Sequence, residues 1–137
     1  MYHSGQLLIH TGITTMKKTA LILIALNFMA VSAMADSPIS SLQAQRYEGM
    51  IKTVCGPVEQ ITKSTKATFV NFDQPYPNQS FSAIISKSNH THSEIEKYIS
   101  DIVANGEEND ICITGRIKAY KGAPNITIDD IDQIAEE

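Results

Sequence analysis

The chain has 137 residues, 42% of them hydrophobic, with 11 basic and 15 acidic side chains and a formal net charge of −4. That length leaves room for one small domain behind a leader and none for a second. The negative balance, with no basic run anywhere, argues against a general binder of phosphate polymers or anionic lipid.

Met16-Lys17-Lys18, the apolar run from Thr19 to Ala30 and the small residues of Ala33-Met34-Ala35 have the three parts of a secretory signal peptide. The run is shorter than the roughly 20 residues needed to cross a bilayer. Cleavage between Ala35 and Asp36 is therefore expected, with translation starting at Met16 and residues 1–15 lying upstream as a mis-start. No cysteine follows the run, so no lipid anchor is expected, and the mature domain, residues 36–137, is placed in the periplasm or outside the cell. Its two cysteines, Cys55 and Cys112, in an oxidising compartment read first as a disulfide. Two buried thiols or a metal pair are the alternatives, the latter weakened because neither cysteine has a second Cys or His at ligand spacing.

Ser37-Pro38 opens a predicted short helix through Leu42, Ala44 and Tyr47 that closes at Gly49. Met50 to Ile61 is rich in strand formers, with Gly56-Pro57 marking a bulge or bend. After a Ser64-Thr65 turn, Ala67 to Phe72 is the second strand, Asp73 to Asn78 a turn-rich loop, and Phe81 to Ile85 the third strand. The period then changes: Ser93 with Glu96 fits a capping box, and Ile95, Ile99, Ile102 and Val103 recur at helical spacing before Asn105-Gly106. Ile111 to Ile117 alternates as a fourth strand, Tyr120 to Pro124 is a loop, and Asn125 to Ile128 begins a fifth. The order β-β-β-α-β-β, with a bent first strand, is that of the OB-fold, a five-stranded Greek-key barrel plugged by a helix between strands three and four.

The segments Val54-Cys55-Gly56-x-Val58, Thr68-Phe69-Val70-Asn71-Phe72, Tyr76-Pro77-Asn78-Gln79-x-Phe81, Cys112-x-Thr114-Gly115-x-Ile117 and Tyr120-x-Gly122-x-Pro124-x-Ile126 resemble a bacterial family of small OB-fold proteins, many of them exported. The resemblance runs from about Tyr47 to Ile134, and the Tyr-Pro-Asn-Gln segment is its most distinctive part. It implies the fold; the nucleic-acid-binding label common in such proteins rests on fold analogy. In that fold the first and fourth strands are antiparallel neighbours, so Cys55, late in the first, and Cys112, early in the fourth, can face each other.

Chemistry is sparse. His90 and His92 with Glu94 and Glu96 offer metal-type donors, but without a third placed ligand they read as a polar turn feeding a helix. Asp129, Asp130 and Asp132 lack the glycine and terminal glutamate of a calcium loop and read as a solvated strand end. No nucleophile elbow or phosphate loop is present, so neither catalytic residues nor a cofactor or metal are expected. Ligands of OB-folds cross strands two and three between the loops joining strands one to two and four to five. That geometry nominates Lys63, Lys66, Phe72, Tyr76, Asn78, Tyr120 and Lys121. The expectation is an exported, non-enzymatic binding module for a protein or envelope oligosaccharide, with single-stranded nucleic acid binding or a small secreted enzyme as alternatives. Scattered basic residues and the lack of Trp count against nucleic acid.

Overall fold

The computed structural model describes residues 36–106 and 109–137. The leader and the Ala35 side of the cleavage site lie outside the described residues. Among the described residues no helix is long and apolar enough to cross a membrane.

The domain is mostly β. Its strands are β1 (Ile39–Ser40), β2 (Ile51–Lys63), β3 (Ala67–Phe72), β4 (Phe81–Ser86), β5 (Asp110–Arg116), β6 (Lys118–Tyr120), β7 (Ala123–Thr127) and β8 (Ile134–Glu136), with helix α1 (His92–Asn105) between β4 and β5. They form one mixed sheet ordered β6-β7-β4-β3-β2-β5-β8, with β1 added in parallel to β2. Eight strands thus stand where five were expected, and the hydrogen-bonded path is open. The three added strands are β1, β6 and β8, and the chain bends at two places. The long β2 pairs through Ile51–Pro57 with β5 and through Val58–Lys63 with β3, changing partner where Gly56-Pro57 predicted a bend. The ladder irregularity itself falls between Val58 and Gln60. At the other end a single residue, Ile117, separates β5 from β6. Its N–H donates to Met50 O (2.9 Å) and its carbonyl accepts from Gly49 N (2.7 Å), so the chain turns there without leaving the sheet.

Strand alternation builds the core. Val54, Val70, Phe72, Phe81, Ala83, Ile85, Ile111, Ile113, Ile126 and Ile128 share it with Ile95, Ile99 and Ile102 of α1. The helical spacing of those isoleucines puts them on one buried face. Cys55 and Cys112 are direct cross-strand partners in the β2–β5 ladder and are disulfide-bonded, with Cα atoms 4.0 Å apart. Alternation places the bridge on the sheet face opposite Val54 and Ile113.

Three local expectations need correction. The segment after Ser37-Pro38 does not begin as a helix: Ile39–Ser40 pairs with Val54 and Cys55, and a 3-10 turn follows over Ser41–Tyr47. Ser40 caps it by accepting from Leu42 N at 3.3 Å. The turn lies tightly on β2, for a Cβ on Gly56 would sit 2.1 Å from Ser41 Oγ. Helix α1 starts one residue before the proposed Ser93 cap; Thr91 is its N-cap and makes no side-chain cap bond. Glu96 does not close a capping box because its carboxylate is drawn onto β3, as described below. Finally, β8 and the preceding 3-10 turn (Ile131–Gln133) extend the sheet beyond the fifth strand. Asp130 caps that turn in a full capping box with Gln133, which is how this part of the aspartate cluster is used.

Candidate ligand-binding groove

A groove of about 550 Å³ lies on the outer face of the sheet. Its floor is set by register. Gln60 of β2 pairs with Asn71 of β3, Asn71 with Ser82 of β4, and Ser82 with Asn125 of β7, so four uncharged polar side chains form a row across four adjacent strands. Beside it a second row is more apolar, with Thr62 paired to Phe69 and Phe69 to Ile84. The polar row is tied together: Ser82 Oγ donates to Asn71 Oδ1 (2.8 Å), and Asn71 Nδ2 donates to Gln60 Oε1 (3.1 Å). Gln60 Oε1 also accepts from the backbone N–H of Tyr76 (3.0 Å), which pins the β3–β4 hairpin to the edge of the floor. Asn71 is only 2% exposed, so it acts as foundation, whereas the less buried Gln60 offers its amide to the groove.

The walls come from two turns. The β3–β4 hairpin contributes Tyr76, 71% exposed, with Pro77 and Gln79. Gln79 Oε1 is buried and has no hydrogen-bond partner among the described residues. Asp73 anchors that hairpin in a left-handed conformation (φ 67°), its carboxylate accepting from Ser41 Oγ at 2.7 Å and from Ser80 Oγ. The opposite wall is the β6–β7 turn, where Tyr120 pairs with Ala123 around Lys121 (φ 51°) and Gly122 (φ 80°). Two successive positive φ values describe a type I′ hairpin, and the turn leaves Tyr120 65% exposed above the floor. Within the described lining Lys121 is the one charged residue, and the lining contains no carboxylate, histidine or cysteine.

The structure therefore brings Tyr76, Tyr120 and Lys121 together around one groove. Asn78 is exposed on the same hairpin but outside the lining, and Lys66 stands in the β2–β3 turn away from it. Two nominations are corrected. Phe72 is fully buried, packed edge-to-face on Phe81 with ring centroids 5.1 Å apart, because alternation that turns Phe69 and Asn71 outward turns Val70 and Phe72 inward. Lys63 shares its strand face with Ile61 rather than Thr62, so its ammonium lies against α1 and pairs with Glu96. The floor residues Gln60, Asn71, Ser82 and Asn125 were missed by the sequence reading; the signal that joins them is ladder register.

Behind the sheet, Glu96 of α1 accepts from Thr68 Oγ1 (2.7 Å) and pairs with Lys63. His92 Nε2 lies 3.1 Å from Thr68 Oγ1 and 3.4 Å from Glu96 Oε2; since the Thr68 proton goes to Glu96, the imidazole is the donor to Thr68. The hydrogen bond from Lys63, then that from Thr68, holds the Glu96 carboxyl below the usual carboxylate range. A depressed native pKa gives stability that is present above the unfolded value, about 4.3, and is lost as pH falls through the native one. Glu96→Gln should cost roughly 1 kcal/mol at pH 7, allowing for the solvated Lys63, and should flatten the acid-side fall in melting temperature. An unchanged acid profile would contradict this role.

No protein-family model matches the chain, and no curated protein matches it. Among solved structures, OBody AM1L10 bound to hen egg-white lysozyme is similar at 15% identity, covering 77% of this chain and 96% of that one, with a TM-score of 0.51. OBody AM2EP06, also bound to hen egg-white lysozyme, aligns at 10% identity over 72% of this chain and 94% of that one, with a TM-score of 0.47. The first likeness is one of fold: the domain is an OB-fold-like β structure.

Proposed function

We propose that the protein is a non-catalytic binding module whose ligand lies across β2, β3, β4 and β7 between the Tyr76 hairpin and the Tyr120–Lys121 turn. The observation that carries this reading is the groove itself: a pre-bonded polar floor between two exposed tyrosines, on the strand two and three face that OB-folds use and beside the loop joining strands four and five, with the hairpin joining strands two and three as its other wall. OBody AM1L10, described as bound to lysozyme, is in keeping with a binding role. We read β5 and β6 as one strand bent at Ile117, which, with β1 and β8 set aside as short additions to it, makes the architecture a five-stranded barrel, and we place the protein among the exported bacterial OB-fold proteins. The disulfide supports action in the periplasm or outside the cell. A serine hydroxyl becomes a nucleophile only beside a general base; Ser82 Oγ donates instead to the Asn71 amide, and no carboxylate or histidine stands in the described lining.

A single lysine in the lining is a poor match to a phosphate backbone, which needs a cation for each phosphate neutralised. The ligand is therefore of low charge, from an envelope component. The test is the double variant Tyr120→Ala/Lys121→Ala. Both side chains are exposed, so unfolding stability should stay within ~0.5 kcal/mol, while capture of envelope material by the immobilised domain falls. Capture unchanged in amount and identity would remove this groove from the site.

A further inference from the structure

Resting on the groove reading, we propose that the ligand is a neutral oligosaccharide, its hydroxyls read by Gln60 at the head of the polar row that Asn71, Ser82 and Asn125 continue as a buried floor, and its ring faces covered by Tyr76 and Tyr120. Three features of the groove select this class. First, the Gln60 amide carries N–H donors suited to sugar hydroxyls and is held in place by Asn71, whose own donor and acceptor are taken up by Gln60 and Ser82. Gln60 Oε1 is already occupied by Asn71 and the Tyr76 N–H, while its Nε2 donates to no protein group among the described residues. Gln79 lines the same groove, its Oε1 buried without a partner among the described residues. Second, the spacing fits. Adjacent strands lie about 4.8 Å apart, close to the length of one β-1,4-linked pyranose unit. The four-residue row spans about 14 Å, which accommodates three rings. Tyrosines at the walls present apolar faces to the C–H faces of pyranoses while their hydroxyls stay in water.

Third, the alternatives lack their means of recognition. A peptide added as an extra strand needs an open ladder edge, and β3, β4 and β7, which make most of the floor, are hydrogen-bonded on both sides. Only side chains face the ligand. A polyanion would meet Lys121 alone in the lining, on a chain of net charge −4.

The experiment is an NMR titration of the ¹⁵N-labelled, disulfide-bonded domain with cellotriose and with triacetylchitotriose. Glucose, an uncharged Ser/Gly/Gln hexapeptide and a thymidine hexanucleotide serve as comparators. At least one trisaccharide should shift the side-chain NH2 signals of Gln60 and Gln79 and the backbone signals of Tyr76 and Tyr120, with glucose binding at least about tenfold more weakly. Gln60→Ala and Tyr120→Ala should each weaken that binding about tenfold, the size expected for loss of one good contact, while Tyr120→Phe keeps it; melting curves confirm that each variant is folded. Absence of any trisaccharide shift at millimolar concentration overturns the oligosaccharide assignment. Shifts of the groove signals by the peptide or the hexanucleotide alone overturn it as well but leave the groove as the binding site. Trisaccharide shifts confined to other faces overturn both.

Discussion

Removing the Cys55–Cys112 bridge is expected to lower stability by about 4 kcal/mol. The bridge closes a sequence separation of 57 residues, and the loop-entropy relation gives that figure for a loop of such length, before any residual order in the unfolded chain reduces it. A domain of this size has a total stability of only about 5–15 kcal/mol, so the loss is a large share of the whole. The bonded residues face each other in an unbroken antiparallel ladder from Ile51↔Arg116 to Pro57↔Asp110. The link therefore fixes a pairing that the β-sheet already favours and need not distort it. Urea unfolding of Cys55→Ala/Cys112→Ala against the oxidised protein measures the difference; a change below about 1 kcal/mol would show that the ladder alone restrains the chain.

Phe72→Ala should cost roughly 3–5 kcal/mol, the range for truncating a fully buried phenylalanine. Phe72 lies at the end of β3 with no solvent exposure, against Phe81 and within reach of Gly56, whose added Cβ would sit 3.5 Å from its ring. The cavity opens where the hairpin, the 3-10 turn and β2 meet, so the surroundings cannot close it by moving one side chain. Tyr76→Ala, four residues away on an exposed ring, should move stability by no more than ~0.5 kcal/mol. The contrast separates core from site: equal costs at the two positions would mean that the hairpin packs differently from this description.

That contrast also marks what was legible in the sequence. Runs of strand formers bounded by turn residues located β3 at both ends and β4 at its start, and the isoleucine spacing of α1 announced its buried face. The cysteine pair was readable from its count together with the order of the strands. Strand parity sets Lys63 with Ile61 and Phe72 with Val70, turning both away from the groove, whereas nearness to a loop in sequence does not say which face a side chain takes. Glu96 was assigned to its own helix end because three-residue spacing is a local signal, whereas Thr68 and Lys63 reach it only after β2 and β3 have paired. The polar floor is non-local in the same way. Gln60, Asn71, Ser82 and Asn125 sit in four segments with no common motif, and only the hydrogen-bond register of the sheet sets them side by side. The three residues of β8 are too few to establish a period.

The claim on which the functional account turns is that ligand occupies the space between the two tyrosine-bearing turns. Amide hydrogen exchange followed by mass spectrometry, on the mature disulfide-bonded protein with and without its native envelope fraction, addresses it whatever the chemical class of the ligand. The account predicts slowed exchange in peptides covering 74–79 and 119–125, the exposed turns that wall the groove, with α1 and the 41–47 segment unchanged. Protection confined to α1 or to 41–47, with both turns exchanging as in the free protein, would contradict it.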